Sequence, residues 1–357
     1  MNIDFEEFKI KMENSVSNVR DLKFDIVKAI AIYLVVYGHL LDNFTSTQTY
    51  LITFCHMQIF FFVSGYFYNK SIHKYSYKQI VFKKLIGLLV PYLMWSTISY
   101  FANITLSLLK NGKDIEIYKI IVNEFIEIFI FSRSVWYLIE LFFVMMIFLL
   151  FYIISNKLHW NLLLVSLVGW LTISLIIPSN IFAFYKFKWL FPFFLLGYYT
   201  NNMKEKLTSF NVLKMQNRIL LICGSVYLIL GTIFYNKQYF KMYIMFEYID
   251  IPSIFVGGLY YLISICSIFF MFSLANKVKN QKIGKRLSEI GHYTIDIYVL
   301  HMFLIKFVIW IPREMTNTML SFIWLPLYTL IIVVSIFIFS KYIFRKFSIY
   351  RLSIGER

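Results

Sequence analysis

Apolar residues run together along this chain for lengths near the roughly 17–25 that a membrane-spanning helix needs. The runs fall at 25–41, 50–68, 85–109, 135–154, 162–178, 185–200, 219–235, 254–275, 290–311 and 319–339, the sixth being short. Short polar connections separate them, without internal repeats or low-complexity linkers. The pattern predicts an all-α, polytopic membrane helical bundle of about ten transmembrane helices. An even number of crossings puts both termini on one side. The chain is thereby divided into a cytoplasmic N-terminal segment (1–24), a transmembrane domain (25–345) and a cytoplasmic C-terminal tail (346–357).

Composition strengthens this reading. Of 357 residues, 59% are hydrophobic and only 15% charged, and mean hydropathy is +0.67. A water-soluble globule of this size needs more polar surface than that. The formal net charge of +16 raises the question of nucleic acid, but the basic residues sit between apolar runs, the pattern of loops held against an anionic leaflet. Membrane lipid is the expected partner, and nucleic acid is not. With the N-terminus inside, the loop 69–84 with Lys70, Lys74, Lys78, Lys83 and Lys84 faces the cytoplasm, as does 276–289 with Lys277, Lys279, Lys282, Lys285 and Arg286. No signal peptide is expected, since residues 1–24 mix charges and lack an apolar core with a small-residue cleavage site. Cys55, Cys223 and Cys266 lie within apolar runs without redox or metal-ligand spacing and read as small core residues; no metal is expected. In the longest outer connection, 110–134, the stretch IIVNEFIEIFIF carries Glu124 and Glu127 at helical spacing. It reads as an interfacial or re-entrant helix, or equally as an ordinary helix of the outer surface.

Against this apolar background the ionisable residues inside the runs stand out, because a charge at bilayer depth costs at least about 2.5 kcal/mol. They are Asp25, Lys28, His39, His56, Glu140, Asp296, His301 and Lys306. Lys28 and His39 are eleven positions apart, which returns to within about 20° of one helix face and separates them by roughly 16 Å along the axis. One stripe therefore joins a basic inner end to an imidazole in the outer half. His56, six residues into the second run, lies about 9 Å below the outer boundary, at a depth close to that of His39. Thr294, Tyr298 and His301 follow i, i+4, i+7 spacing and form a polar stripe that should face inward. A single histidine of this kind serves well as interhelical glue. Three point to chemistry. Lys306 sits where it can snorkel to the interface.

The segment FDIVKAIAIYLVVYGH at 24–39 resembles the first helix of the acyltransferase-3 family of membrane acyltransferases, marked by Arg or Lys, ten residues, then His. HMQIFFFVSGYF (56–67), FKKLIGLLVPYLMW (82–95), VWYL (135–138), FPFFLLGYY (191–199) and IGHYTIDIYVLH (290–301) are similar to later family elements, in the family's order, over nearly the whole chain. Two positions depart from the pattern: Lys28 stands for the commoner Arg, and Asp296 stands where an uncharged residue is expected. The closest subgroup in character is the single-domain sugar O-acetylases, since no lipase-like soluble domain follows the last run.

The resemblance implies an acyl donor, acetyl-CoA above all, arriving from the cytoplasm, and an acceptor sugar hydroxyl on a surface polysaccharide or its lipid-linked precursor, in the inner membrane of a bacterium. The residues supply places for both. Lys28, Lys78, Lys83 and Lys84 can attract the polyanionic donor, though the three loop lysines serve as well for positive-inside anchoring. His39 is the expected catalytic base, or the carrier of an acyl group, with Lys28, His56 and His301 completing the catalytic set. Asp25, Glu140, Tyr298, Trp136 and Ser64 are the expected substrate contacts. Ser64 and Gly65 form a small pair suited to close helix packing, and Trp136 suits an interfacial belt as well as a sugar. Competing readings are a glycan or small-solute transporter or flippase, and a glycan polymerase. The first should show two related halves, and the second has no use for the lysine–histidine spacing.

Overall fold

The computed structural model describes residues 21–41, 55–111, 117–131, 134–176, 186–202, 212–236, 251–308 and 321–356, and within the ten apolar runs those residues are helical except Cys55, Val135, Lys186 and Tyr293. The segment 1–20, the beginning of the second run at 50–54, the ends of the ninth and tenth runs at 309–311 and 319–320, and the side chain of Lys306 lie outside the described residues. In chain order the helices are α1 (Leu22–Leu41), α2 (His56–Lys74), α3 (Tyr77–Lys84), α4 (Val90–Asn111), α5 (Ile117–Phe125), α6 (Trp136–Leu158) and α7 (Leu162–Ile176). There follow α8 (Phe187–Asn202), α9 (Val212–Asn236), α10 (Ile251–Val278), α11 (Lys282–His292), α12 (Thr294–Val308), α13 (Ser321–Tyr342) and the short α14 (Ser348–Ser353). No strand occurs among the described residues. In hydrocarbon a helix meets its own backbone hydrogen bonds, which is why an apolar chain of this kind resolves into helices.

Among the described residues four helical stretches are long and apolar enough to cross a membrane: Tyr77–Leu109, Trp136–Leu158, Gly257–Val278 and Ile323–Lys346. Helices α1 and α2 are not among them. α1 carries Lys23, Asp25 and Lys28, and α2 carries Gln58, Asn69 and Lys70. These polar helices are also the ones most enclosed by protein. α1 packs against α2, α10, α11, α12 and α13, and Ile26, Val27, Ala31, Ile32 and Val36 on it are fully buried. A helix buried on all sides can hold ionisable groups away from lipid, as those of α1 require.

Two sequence expectations are refined by the helix ends. α2 begins at His56, so this residue opens its helix instead of lying six residues into it. The ninth run is broken at Tyr293 into the amphipathic α11 and the apolar α12, and the basic connection 276–289 is therefore largely helical. The other basic connection, 69–84, is helical as well: α2 continues to Lys74, and Ser76 caps α3 through a reciprocal pair with Gln79, accepting from its amide at 3.4 Å and donating its own at 3.1 Å. A π-helical turn at Leu85–Leu89 then leads into α4. Pro91 cannot donate to the Gly87 carbonyl in α-helical register, and the widened turn precedes it.

Helices α2 and α8 approach closely. A Cβ on Gly65 would lie 1.9 Å from the Phe194 carbonyl oxygen, and one on Gly197 the same distance from that of Phe62. The two backbones thus touch through a reciprocal glycine contact, the small-residue packing expected between membrane helices. Gly65→Val should force α2 and α8 apart at a cost of about 1–3 kcal/mol. It should lower the thermal unfolding midpoint of the detergent-solubilised protein, whereas Gly87→Ala, where an added Cβ meets nothing within 4 Å, should leave it unchanged.

Candidate active site

Two cavities lie in the bundle, one on each side of a shared tyrosine. The first, of about 310 Å³, is lined by Lys28, Lys83 and Lys84 together with Ser64, Tyr137 and Tyr298. The second, of about 320 Å³, is lined by His39, His301, Glu124, Glu127, Trp136 and again Tyr298. Between them stand Tyr137 of α6 and Tyr298 of α12. The Tyr137 amide donates to the Tyr298 hydroxyl at 3.0 Å, and the rings meet edge to face with centroids 5.5 Å apart. The Ser64 side chain is hydrogen-bonded to the Tyr137 hydroxyl. Thr294 and Tyr298 border the first cavity, and Tyr298 and His301 border the second. The polar stripe of α12 thus runs along both.

The entry to α6 is set by Val135, whose φ of 36° lies in the left-handed region. For a β-branched residue such a conformation costs about 1–3 kcal/mol and is kept only where the surroundings enforce it. It turns the chain so that Trp136 faces the second cavity while the Tyr137 amide reaches Tyr298. On the far side of Trp136, Lys186 stacks its ammonium 3.2 Å from the ring centroid and interacts electrostatically with the buried Glu140.

In the second cavity the imidazoles of His39 and His301 face each other, with centroids 5.2 Å apart and planes inclined by 34°. His301 is 1% exposed, and its Nδ1 lies 3.1 Å from the Ile297 carbonyl. A carbonyl can only accept, so Nδ1 carries the proton, and the neutral ring presents its lone pair at Nε2. Nε2 has no hydrogen-bond partner among the described residues. The wall opposite comes from the helix predicted in connection 110–134. α5 and the π-helical turn Ile126–Ile130 fold back on α4, where Asn103 Nδ2 donates to Glu124 Oε2 at 2.8 Å and Ile128 is buried. Ser134 donates to Ser99 at 2.8 Å beside them.

In the first cavity Lys28 is paired with Asp25, Nζ to Oδ1 at 2.9 Å, one turn away on α1. Asp25 is buried and so engaged with Lys28. Lys83 and Lys84 supply the remaining positive charge; Lys83 also lies 3.2 Å over the Tyr75 ring, and its hydrogen bond to that hydroxyl pulls the phenol below its ordinary value. Lys78 is exposed and lines neither cavity, and His56 and Glu140 are likewise absent from both linings. Tyr137, which the sequence offers with Trp136 as a sugar platform or an interfacial aromatic, forms the partition, and the residues that the pattern of the chain did not single out for the site are Glu124 and Glu127. Their only advance signal was the i, i+3 spacing of two carboxylates in an otherwise apolar helix.

Asp296, the unexpected acid of the ninth run, is accounted for by the chain's C-terminal segment. It is fully buried and pairs with Arg345, while Tyr350 donates its hydroxyl to Oδ1 at 3.0 Å. Burial and the neighbouring Asp296 carboxylate hold the Tyr350 phenol well above its ordinary value. Cys55 is buried, with the Tyr227 hydroxyl 3.5 Å from its sulfur. Among the described residues no group of three His, Cys, Asp or Glu side chains is arranged to hold a metal ion.

The family model described as acyltransferase domain matches residues 21–345. Two curated relatives are both nodulation protein NolL. The one from Sinorhizobium fredii is 39% identical over 88 residues, 22% of this chain and 24% of the relative. The one from Mesorhizobium japonicum is 35% identical over 91 residues, 23% of this chain and 24% of the relative. The alignments thus span about a quarter of the length of these relatives. No solved structure matches.

Removing one member of a buried ion pair leaves the other charge unmet, at a cost of about 3–5 kcal/mol. Arg345→Ala should therefore sharply lower the thermal unfolding midpoint, and adding Asp296→Asn should restore most of it. A double variant no more stable than Arg345→Ala alone would show that Arg345 stabilises the fold by another route.

Proposed function

As this chain belongs to the acyltransferase family defined by that domain, and is accordingly a membrane acyltransferase, we propose that it moves an acetyl group from cytoplasmic acetyl-CoA to a hydroxyl of a surface polysaccharide or its lipid-linked precursor. The observation that carries the reading is the pairing of His39 with His301 in a cavity that shares Tyr298 with a lysine-lined cavity. One helix from each apolar run, α12 in the case of the ninth, crosses the bilayer in this reading, with both termini in the cytoplasm of a bacterial cell and the protein in its inner membrane.

The lysine-lined cavity is the donor end. Lys83 and Lys84 meet the phosphates of the donor as point charges, and Lys28, oriented by Asp25, stands where the acyl arm enters. The histidine-lined cavity is the acceptor end. His39 removes the proton of the sugar hydroxyl as its oxygen attacks the thioester carbonyl carbon. His301, its lone pair directed from Nε2, accepts a hydrogen bond from the sugar, and Trp136 offers a face for the ring. The new ester C–O bond forms, the C–S bond breaks, and the coenzyme leaves as a thiolate. The proton held by the imidazole is returned to solvent.

The partition supports transfer at the junction of the cavities. Tyr298 uses its oxygen to accept from the Tyr137 amide, so its own proton is available to a carbonyl oxygen that gains charge in the transition state. Glu140 and Lys186 brace the back of Trp136, and Ser64 holds Tyr137. In this reading His56 and Asp25 support the helices that carry the reacting groups, and Lys78 serves as an anchor at the cytoplasmic surface.

Loss of a general base costs about 10²–10⁴-fold in rate. His39→Ala should insert normally yet remove the O-acetyl methyl signal from the proton spectrum of the polysaccharide; undiminished acetylation would exclude His39 as base. Lys28→Ala combined with Asp25→Asn, so that no carboxylate is left unmet, should raise the KM for acetyl-CoA about tenfold, an effect of about 1.4 kcal/mol, with the acceptor KM unchanged. Equal loss for both substrates would count against a donor role.

A further inference from the structure

The two cavities carry opposite charge. Among the described residues the donor end is lined by three lysines and no carboxylate, and the histidine end by Glu124 and Glu127 and no lysine or arginine. The carboxylates come from one face of the α5 hairpin, three positions apart, and Glu124 is fixed by Asn103 at 2.8 Å. Lys186 does not line this cavity: it stacks on Trp136 and interacts with Glu140. Opposite the carboxylates, His301 is 1% exposed, borders the cavity and leaves Nε2 without a partner among the described residues. A buried polar atom in that condition is met by an ordered water or by a hydrogen-bonding ligand that displaces it. The ligand must therefore donate to an imidazole lone pair and also sit against two carboxylate groups.

We infer that the histidine-lined cavity selects an acceptor sugar that is uncharged or bears an amine at its reacting residue, with Glu124 and Glu127 excluding uronic acids and phosphorylated sugars. The inference rests on the reading of this cavity as the acceptor end. Sugar hydroxyls and ammonium groups are donors to both carboxylate and imidazole acceptors. A sugar carboxylate or phosphate can only accept when ionised and meets like charge, so it is penalised twice. The same charges keep the coenzyme, itself a polyanion, confined to the lysine-lined side.

The test is calorimetric titration of the full-length protein in lipid nanodiscs with three tetrasaccharides of equal length. One is built of N-acetylglucosamine, one of glucosamine, and one of alternating N-acetylglucosamine and glucuronate. The first two should bind at least about tenfold more tightly than the third. Glu124→Gln with Glu127→Gln keeps the shape and the Asn103 hydrogen bond, and should reduce that difference to less than about threefold, chiefly by tightening the glucuronate oligomer. The inference is overturned if the glucuronate oligomer binds as tightly as the neutral one, if none of the three binds, or if the glutamine variants keep the discrimination. Binding is read without turnover. Charge discrimination in a protein that acetylates no sugar would leave this inference standing and count against acetyl transfer, whereas acetylation of a uronic acid would do the reverse.

Discussion

An ionised side chain taken out of water must be met by another charge, by hydrogen bonds or by a water-filled cavity. Three arrangements in this protein follow from that requirement. Asp25 meets Lys28 one turn away, Asp296 meets Arg345 and Tyr350 from the C-terminal segment, and Glu140 interacts with Lys186 across the entry to α6. The last two join elements that apolar packing alone would leave free to slide, because side chains interdigitating in a bundle fix distance better than register. Of the helices that carry these groups, α1 is enclosed by five others. Enclosure excludes lipid, and the buried charges determine which helices must be enclosed.

Much of this order is visible in the chain before folding. Runs of apolar residues locate the helices, because a chain in hydrocarbon has few ways to satisfy its backbone. The Thr294, Tyr298 and His301 stripe identifies the working face of α12, since a polar stripe on an apolar helix has to be covered by protein or cavity. Lys28 and His39 fall beside different cavities, one at each end of the same helix, as their spacing suggests. The family likewise follows from short motifs in order, which the match over residues 21–345 shows independently.

What the chain conceals is chiefly what depends on partners distant in sequence. Nothing near Asp296 reveals that Arg345, forty-nine positions later, will reach it. The break at Tyr293 is hidden because α11 is amphipathic and merges into the apolar run that follows. Glu124 and Glu127 look like residues of a surface helix until α5 folds onto α4 and brings them opposite the histidines. Periodicity identifies the face of a helix but not the object that the face will meet, so His39 and His301 can each be placed on a stripe while their meeting cannot be read from it.

Tyr298 forms part of both cavities, and one consequence is thermodynamic. A molecule that shifts this ring from one side alters the wall offered to a molecule on the other, so the two occupancies are linked by a single coupling free energy, equal in both directions. A filled cavity on one side and an empty one on the other are then not independent states, and one phenol is the element that links them.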